Sequence, residues 1–166
     1  EFILGVADPS VRSIAETLAE MEAKGASGAE IDAYEAQWVK STKLVTFDEA
    51  AVAHFERNGV PQDKIDEYLA KVRADRDMGI TARRALADAV TPGNPVYWSW
   101  DVPRTREGFY HFKNGMAAAT KRALAFAPYA DMLWVETGDP NVQVCRDLGR
   151  AVRDKFPGKP LVYNLS

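Results

Sequence analysis

Cysteine, histidine and long apolar runs are all scarce in this sequence of 166 residues. The single cysteine, Cys145, excludes an internal disulfide and a zinc site built on several cysteines. The two histidines, His54 and His111, lie too far apart in the sequence to indicate a zinc site. No apolar run approaches the roughly 20 residues that span a bilayer. Basic charge is not in excess, since the net charge is -3, which argues against nucleic acid or an anionic membrane as a partner.

The first half of the chain is helical in pattern. Apolar residues recur at helical spacing from Asp8 to about Val90, and Asp8 followed by proline predicts the start of the first helix. Two pairs of the type S/T-x-x-E, at 27–30 and 46–49, predict capping boxes at two further helix starts. We therefore interpret residues 1–95 as an all-helical subdomain, with its periodic apolar faces used for packing.

The second half, residues 96–166, has an α/β pattern. A helix is predicted from about Thr105 to Pro128, followed by two short apolar runs that indicate buried parallel strands, near 132–136 and 161–164. Between the strands, Asp139 and Pro140 predict the start of a connecting helix. Two strands cannot close a barrel, and both chain ends lie in apolar stretches. We expect an internal part of a longer protein, with this half belonging to a larger sheet or barrel.

Polar residues follow both predicted strands at the end where α/β folds bind ligands. Glu136 comes directly after the first apolar run, and its carboxylate suits a divalent cation or the work of a base. Asn164 and Ser166 lie two apart, so on an extended chain they point the same way and suit a substrate carboxylate or hydroxyl. From the pattern alone, strand-end capping is an equally good interpretation.

Other reactive side chains are interpreted as structural. We expect Cys145 to be a buried residue on the apolar face of the connecting helix, and not a nucleophile. His111 is placed within the helix predicted from Thr105, where packing or solvation explains it. Arg83 and Arg84 are expected on a solvated helix face.

Four segments resemble isocitrate lyases. Residues 104–110, R-T-R-E-G-F-Y, resemble the segment that follows the fifth barrel strand of that family. Residues 125–131, A-F-A-P-Y-A-D, resemble its next helix and turn, and residues 134–138, W-V-E-T-G, resemble its sixth strand. Residues 163–166, Y-N-L-S, match the start of its Y-N-L-S-P-S-F-N-W signature.

The resemblance implies part of a TIM-type (α/β)8 barrel, preceded over residues 6–95 by the helical insertion of one branch of the family. It implies Mg²⁺, a homotetramer, and reversible retro-aldol cleavage of isocitrate to succinate and glyoxylate, the entry to the glyoxylate bypass. By the family pattern, Glu136 belongs to the catalytic polar cluster around the metal and glyoxylate. No direct metal ligand is implied in this chain, so Glu136 would reach the metal only through another group, such as a bound water. Asn164 and Ser166 match the residues that hold the succinate carboxylate.

The sequence also departs from the family. The catalytic cysteine loop, K-K-C-G-H, does not occur in it, and by the family order the metal-ligating aspartates precede Glu1. We expect the 166-residue chain to be inactive by itself. The expected location is the cytoplasm, or the glyoxysome for a plant or fungal source.

Two alternatives to isocitrate lyase stay open. A 2-methylisocitrate lyase shares the fold and the cleavage, although the E-T-G at residues 136–138 favours isocitrate lyase. A non-catalytic helical interaction module built on residues 6–95 would fold alone and carry an exposed apolar patch.

Overall fold

The computed structural model describes residues 3–75, 77–137 and 141–165. The elements, in chain order, are α1 (Ile14–Ala23), α2 (Gly28–Ser41), α3 (Phe47–Arg57), α4 (Gln62–Ala74), α5 (Ile80–Val90), α6 (Gly115–Phe126), β1 (Leu133–Thr137), α7 (Val142–Lys155) and β2 (Leu161–Leu165). They fall into two compact units, one over residues 3–113 and one from Asn114 onward. The domain boundary predicted at 95–96 stays a prediction. No helix within the described ranges is both long and apolar enough to cross a membrane.

The core of the first unit lies among α3, α4 and α5. Phe55 and Tyr68 meet edge to face with ring centroids 5.3 Å apart, and Phe47 packs on Trp98 in the same way at 5.8 Å. Each large apolar side chain buried in this way contributes about 1.5–3 kcal/mol to stability. The two predicted capping boxes are both present, at 27–30 and 46–49. Helices α2 and α3 therefore begin where the sequence pattern predicts.

Gly5 lies in close contact with neighbouring segments of the first unit. Its backbone N–H donates to the Val45 carbonyl at 2.8 Å, and the Val45 N–H donates back at 2.9 Å. A Cβ at this position would lie 2.6 Å from the Ser99 carbonyl oxygen and 2.6 Å from the Trp98 ring. Such contacts are too short for any side chain, so the position requires glycine.

The first helix does not begin at Asp8. Its carboxylate accepts hydrogen bonds from the Ser10 N–H at 2.9 Å and the Ser10 hydroxyl at 2.7 Å, which closes a local turn. The helix starts instead at Ile14, with the Ser13 side chain accepting from the Glu16 N–H at 3.4 Å. The prediction was wrong because aspartate before proline favours a turn as readily as a helix start.

Arg83 is not on a solvated face, which corrects the prediction for that residue. Its side chain is 4% exposed and forms an ion pair with Asp48 of α3. The Tyr68 hydroxyl donates to the other Asp48 carboxylate oxygen at 2.8 Å. Burial and the adjacent Asp48 charge raise the pKa of Tyr68, which keeps the hydroxyl protonated as a donor. The neighbouring Arg84 is exposed, as predicted, and its guanidinium donates to the Trp98 carbonyl at 2.9 Å.

The long helix predicted from Thr105 begins only at Gly115. Gly108 adopts φ +88° and Asn114 adopts φ 55°, and each of these left-handed residues interrupts a helix. The Arg104 guanidinium also donates to the Gly108 carbonyl at 2.8 and 3.0 Å, which stabilises a loop. His111 therefore lies outside any helix.

The second unit is an α/β layer. Its two strands are parallel, with Leu133 opposite Leu161, and α6 and α7 pack together. The buried core on the helix side is formed by residues of β1, of α7 and of the C-terminal end of α6: Ala123, Ala127, Leu133, Leu148 and Val152. Leu161 of β2 is partly buried against it. The predicted strands and their parallel pairing are confirmed. The described residues show a small parallel sheet, and the closed barrel stays a prediction.

Candidate active site

Glu136 and Asn164 lie side by side at the carboxyl ends of β1 and β2. The parallel register places Glu136 directly opposite Asn164. The amide nitrogen of Asn164 donates to Glu136 Oε1 at 2.8 Å. The Glu136 side chain is exposed and Asn164 is half-buried, so both are open to a ligand at this edge. A carboxylate beside an amide can accept a proton, attract a cation and hydrogen-bond a carboxyl group.

The face of the sheet that carries this pair is apolar and uncovered in the second unit. Alternation along the strands places Trp134 on the same face as Glu136, and Val162 on the same face as Asn164. Trp134 is 68% exposed and Val162 is 37% exposed. The opposite face, with Leu133 and Val135, packs against the helices. The polar pair thus lies at the end of an apolar, helix-free surface.

Two of the three predicted site residues are therefore together in the structure. Glu136 and Asn164 lie at the same end of the sheet, as the strand pattern led us to expect, and a hydrogen bond joins them. Ser166 lies outside the described residues. The roles of all three in catalysis and binding stay predictions.

Cys145 belongs to a different surface. It lies on α7 and is half-buried, whereas the sequence predicted a buried residue. It lines an open cavity of about 530 Å³ together with Val135 and Tyr163, which belong to the helix-covered face of the sheet. The sheet therefore separates the thiol from Glu136, and Cys145 does not take the place of a catalytic cysteine there.

The start of α7 differs from the prediction. The residues expected to cap it, Asp139 and Pro140, lie outside the described residues. The helix is capped by Asn141, whose side-chain oxygen accepts from the N–H groups of Gln143 at 3.0 Å and Val144 at 3.1 Å. Asparagine is among the strongest N-cap residues, so the cap itself is ordinary.

A second hydrogen bond between the two strands was not predicted from the sequence. The Tyr163 hydroxyl is hydrogen-bonded to Thr137 Oγ1 on the face opposite Glu136 and Asn164. Tyr163 was interpreted only as an apolar strand residue. The available signal was that a tyrosine in a buried strand needs a partner for its hydroxyl.

The whole chain matches one protein family. The model of the isocitrate lyase family matches residues 1–166. The chain belongs to the isocitrate lyase family. Because the match includes residues 6–95, the helical part is family sequence as well, and the resemblance seen in the motifs is confirmed.

Relatives within the isocitrate lyase family carry two different names. A protein of Hypocrea atroviridis named 2-methylisocitrate lyase, mitochondrial, is 71% identical over 166 residues, 100% of this chain and 29% of that protein. An isocitrate lyase of Oryza sativa subsp. japonica is 38% identical over 172 residues, 100% of this chain and 30% of that protein. The mitochondrial 2-methylisocitrate lyase of Saccharomyces cerevisiae is 34% identical over 168 residues, 100% of this chain and 29% of that protein.

The chain thus spans less than a third of the length of these curated relatives. Relatives at 34–38% identity include both an isocitrate lyase and a 2-methylisocitrate lyase. Sequence identity in that range therefore indicates the family and does not distinguish between the two substrates.

Proposed function

We propose that this chain is part of a carbon–carbon lyase that cleaves 2-methylisocitrate. The observation that carries the proposal is the 71% identity, over the whole chain, to a protein named 2-methylisocitrate lyase. Isocitrate is the second candidate, because the E-T-G at 136–138 resembles isocitrate lyases and a protein of that name is 38% identical. The relatives favour the first of these substrates over the isocitrate expected from the motifs.

The proposed reaction is a retro-aldol cleavage. A base takes the proton of the substrate hydroxyl, the carbinol carbon becomes a carbonyl, and the bond to the neighbouring carbon breaks. The electron pair stays on that neighbouring carbon, which an acid protonates to give succinate. The methyl group of 2-methylisocitrate is on the carbinol carbon, so the second product is pyruvate in place of glyoxylate.

We assign roles to three residues in this reaction. Glu136 supplies negative charge at the carbonyl-forming end of the substrate. Asn164 uses its remaining amide groups, with the hydroxyl of Ser166, to hold the succinate carboxylate. The 2.8 Å bond from Asn164 to Glu136 supports this arrangement, because it links the two halves of the proposed site through one contact.

Mg²⁺ is compatible with Glu136, although this chain would not hold the ion alone. No group of three or more His, Cys, Asp or Glu side chains able to bind a metal occurs within the described residues. Mg²⁺ keeps several of its waters in protein sites, and the exposed carboxylate of Glu136 fits as an acceptor for one of them. When bound, the ion supplies polarisation of the oxygens of the nascent oxoacid.

The uncovered face of the sheet supports a barrel in the longer protein. In an α/β barrel the helices lie outside, the inward faces of the strands carry core side chains, and active sites lie at the carboxyl ends of the strands. Trp134 and Val162 occupy the inward position in this arrangement, and Glu136 and Asn164 occupy the rim. We propose that further strands of a TIM-type barrel, in a homotetrameric enzyme, cover this face.

Substrate preference tests the proposed function directly. The full-length parent enzyme, with Mg²⁺, is expected to have a kcat/KM for 2-methylisocitrate about 10- to 200-fold above that for isocitrate, the range that one methyl group in a fitted pocket provides. Release of pyruvate measures the cleavage of 2-methylisocitrate, and release of glyoxylate measures the cleavage of isocitrate. The 166-residue chain, which has no K-K-C-G-H loop, is the matched control and is expected to be inactive. A preference for isocitrate would support the second candidate, and absence of both cleavages would refute the lyase proposal.

We also propose a mitochondrial location for the parent enzyme, in place of the cytoplasmic one expected from the sequence. The Hypocrea and Saccharomyces relatives are both named as mitochondrial. The tagged full-length protein is expected to co-purify with mitochondria in its source cells. Recovery in the cytosolic fraction, with a mitochondrial marker retained in the pellet, would contradict this.

A further inference from the structure

Two hydrogen bonds join the carboxyl ends of β1 and β2, one on each face of the sheet. Asn164 donates to Glu136 on the uncovered face at 2.8 Å. Thr137 and Tyr163 are linked on the helix-covered face. The residues of the two pairs are adjacent along each strand, Glu136 before Thr137 and Tyr163 before Asn164. The two links therefore act on the same short stretch of backbone.

The Tyr163–Thr137 bond joins two side chains that are both partly buried. Tyr163 and Thr137 are half-buried, and the Tyr163 side chain lines the cavity beside Val142 and Cys145 of α7. Glu136, by contrast, is exposed, and an exposed carboxylate keeps most of its rotamer freedom. Two partly buried hydroxyl residues can restrict the strand ends more than a pair in which the carboxylate partner is exposed.

We propose that Tyr163 and Thr137 are positioning residues for the active site. Their hydrogen bond holds the ends of β1 and β2 in register, and so sets the separation of the Glu136 carboxylate from the Asn164 amide. Neither residue touches substrate, because both point to the helix side of the sheet. The inference rests on the proposed function, in which Glu136 and Asn164 act on the two halves of the substrate.

Two substitutions in the full-length enzyme test the positioning role of Tyr163 and Thr137. Tyr163→Phe and Thr137→Val each remove one partner and keep the size of the side chain. Each is expected to lower kcat roughly 10- to 100-fold, since misplacement of a catalytic group by up to 1 Å costs as much. KM should change far less, and Thr137→Ser, which keeps the hydroxyl, should retain most of the activity. The losses in the double variant should be less than additive, because both substitutions remove the shared hydrogen bond.

Tyr129→Phe is the matched control, since it removes the hydroxyl of a tyrosine that is 91% exposed in the same unit. It should leave kcat unchanged. Melting temperatures separate positioning from a merely structural role. If the role is merely structural, the substitutions should lower the melting temperature and leave kcat of the folded enzyme unchanged. Either that result or additive losses in the double variant would overturn the proposal. If Tyr163→Phe does not fold, the kcat values of Thr137→Val and Thr137→Ser test the positioning role instead.

A crystal structure of the Tyr163→Phe enzyme keeps this test distinct from the proposed function. If the wild-type enzyme cleaves neither substrate, the lyase proposal fails, but the geometry can still be measured. We expect the distance from Asn164 to Glu136 to increase beyond hydrogen-bonding range or to vary between subunits. An unchanged 2.8 Å contact would overturn the positioning role whatever the activity.

Discussion

Replacing Arg83 by methionine is expected to lower the free energy of unfolding by about 3–5 kcal/mol, the usual cost of removing one partner of a buried ion pair. Methionine fills much of the space of the arginine stem but leaves the Asp48 carboxylate, which is 18% exposed, without its counter-charge. The Tyr68 hydroxyl remains as a neutral donor to Asp48 and compensates only in part. The hydrogen bond from Arg83 Nε to the Met78 carbonyl, 3.1 Å, is lost as well.

Denaturant titration followed by tryptophan fluorescence measures this loss, because Trp98 and Trp100 lie in the same unit. Arg12→Met is the matched control, since it makes the same substitution in an ion pair whose side chains are 61% and 49% exposed. An exposed pair contributes about 0–1 kcal/mol, so the control should change stability little. Equal effects of the two substitutions would show that burial of the Asp48–Arg83 pair does not matter.

Local sequence signals predicted most of the elements because their causes are local. Capping boxes at 27–30 and 46–49 and apolar runs in the strands act within a few residues, and the structure contains each of them. The failures have non-local or competing causes. Arg83 looked solvated because its partner Asp48 lies 35 residues away. The segment before Gly115 looked helical because periodicity outweighed the left-handed tendency of Gly108 and Asn114.

The candidate site was predictable for a similar reason. Strand direction and a run of apolar residues suffice to place Glu136 and Asn164 at one edge, and the structure places them there. The Thr137–Tyr163 bond depends on side-chain reach between strands, which no periodicity encodes. Substrate preference was not predictable from residues 136–138, because one tripeptide does not describe the pocket around a methyl group.

Replacing Glu136 by glutamine in the full-length enzyme is expected to lower kcat by about 10²-fold or more, the usual cost of losing a group that acts chiefly in the transition state. Glutamine keeps the shape of the side chain and an oxygen that can still accept the 2.8 Å bond from Asn164. The substitution therefore removes the negative charge and leaves the local geometry in place. Because the charge acts where the new carbonyl forms, KM should change much less than kcat. Steady-state kinetics with saturating Mg²⁺ measure both.

Asp147→Asn is the matched control for the loss of a carboxylate. Asp147 lies on α7 of the same unit and accepts a hydrogen bond from Gln143 at 2.8 Å, which an asparagine oxygen can also accept. Its replacement should leave kcat close to the wild-type value. Cys145→Ala tests the thiol in parallel, and it should affect stability without affecting turnover, because the cysteine faces the helix side of the sheet. A folded Glu136→Gln enzyme with normal kcat, beside an inactive Cys145→Ala enzyme, would move the active site from the rim of the strands to the α7 cavity.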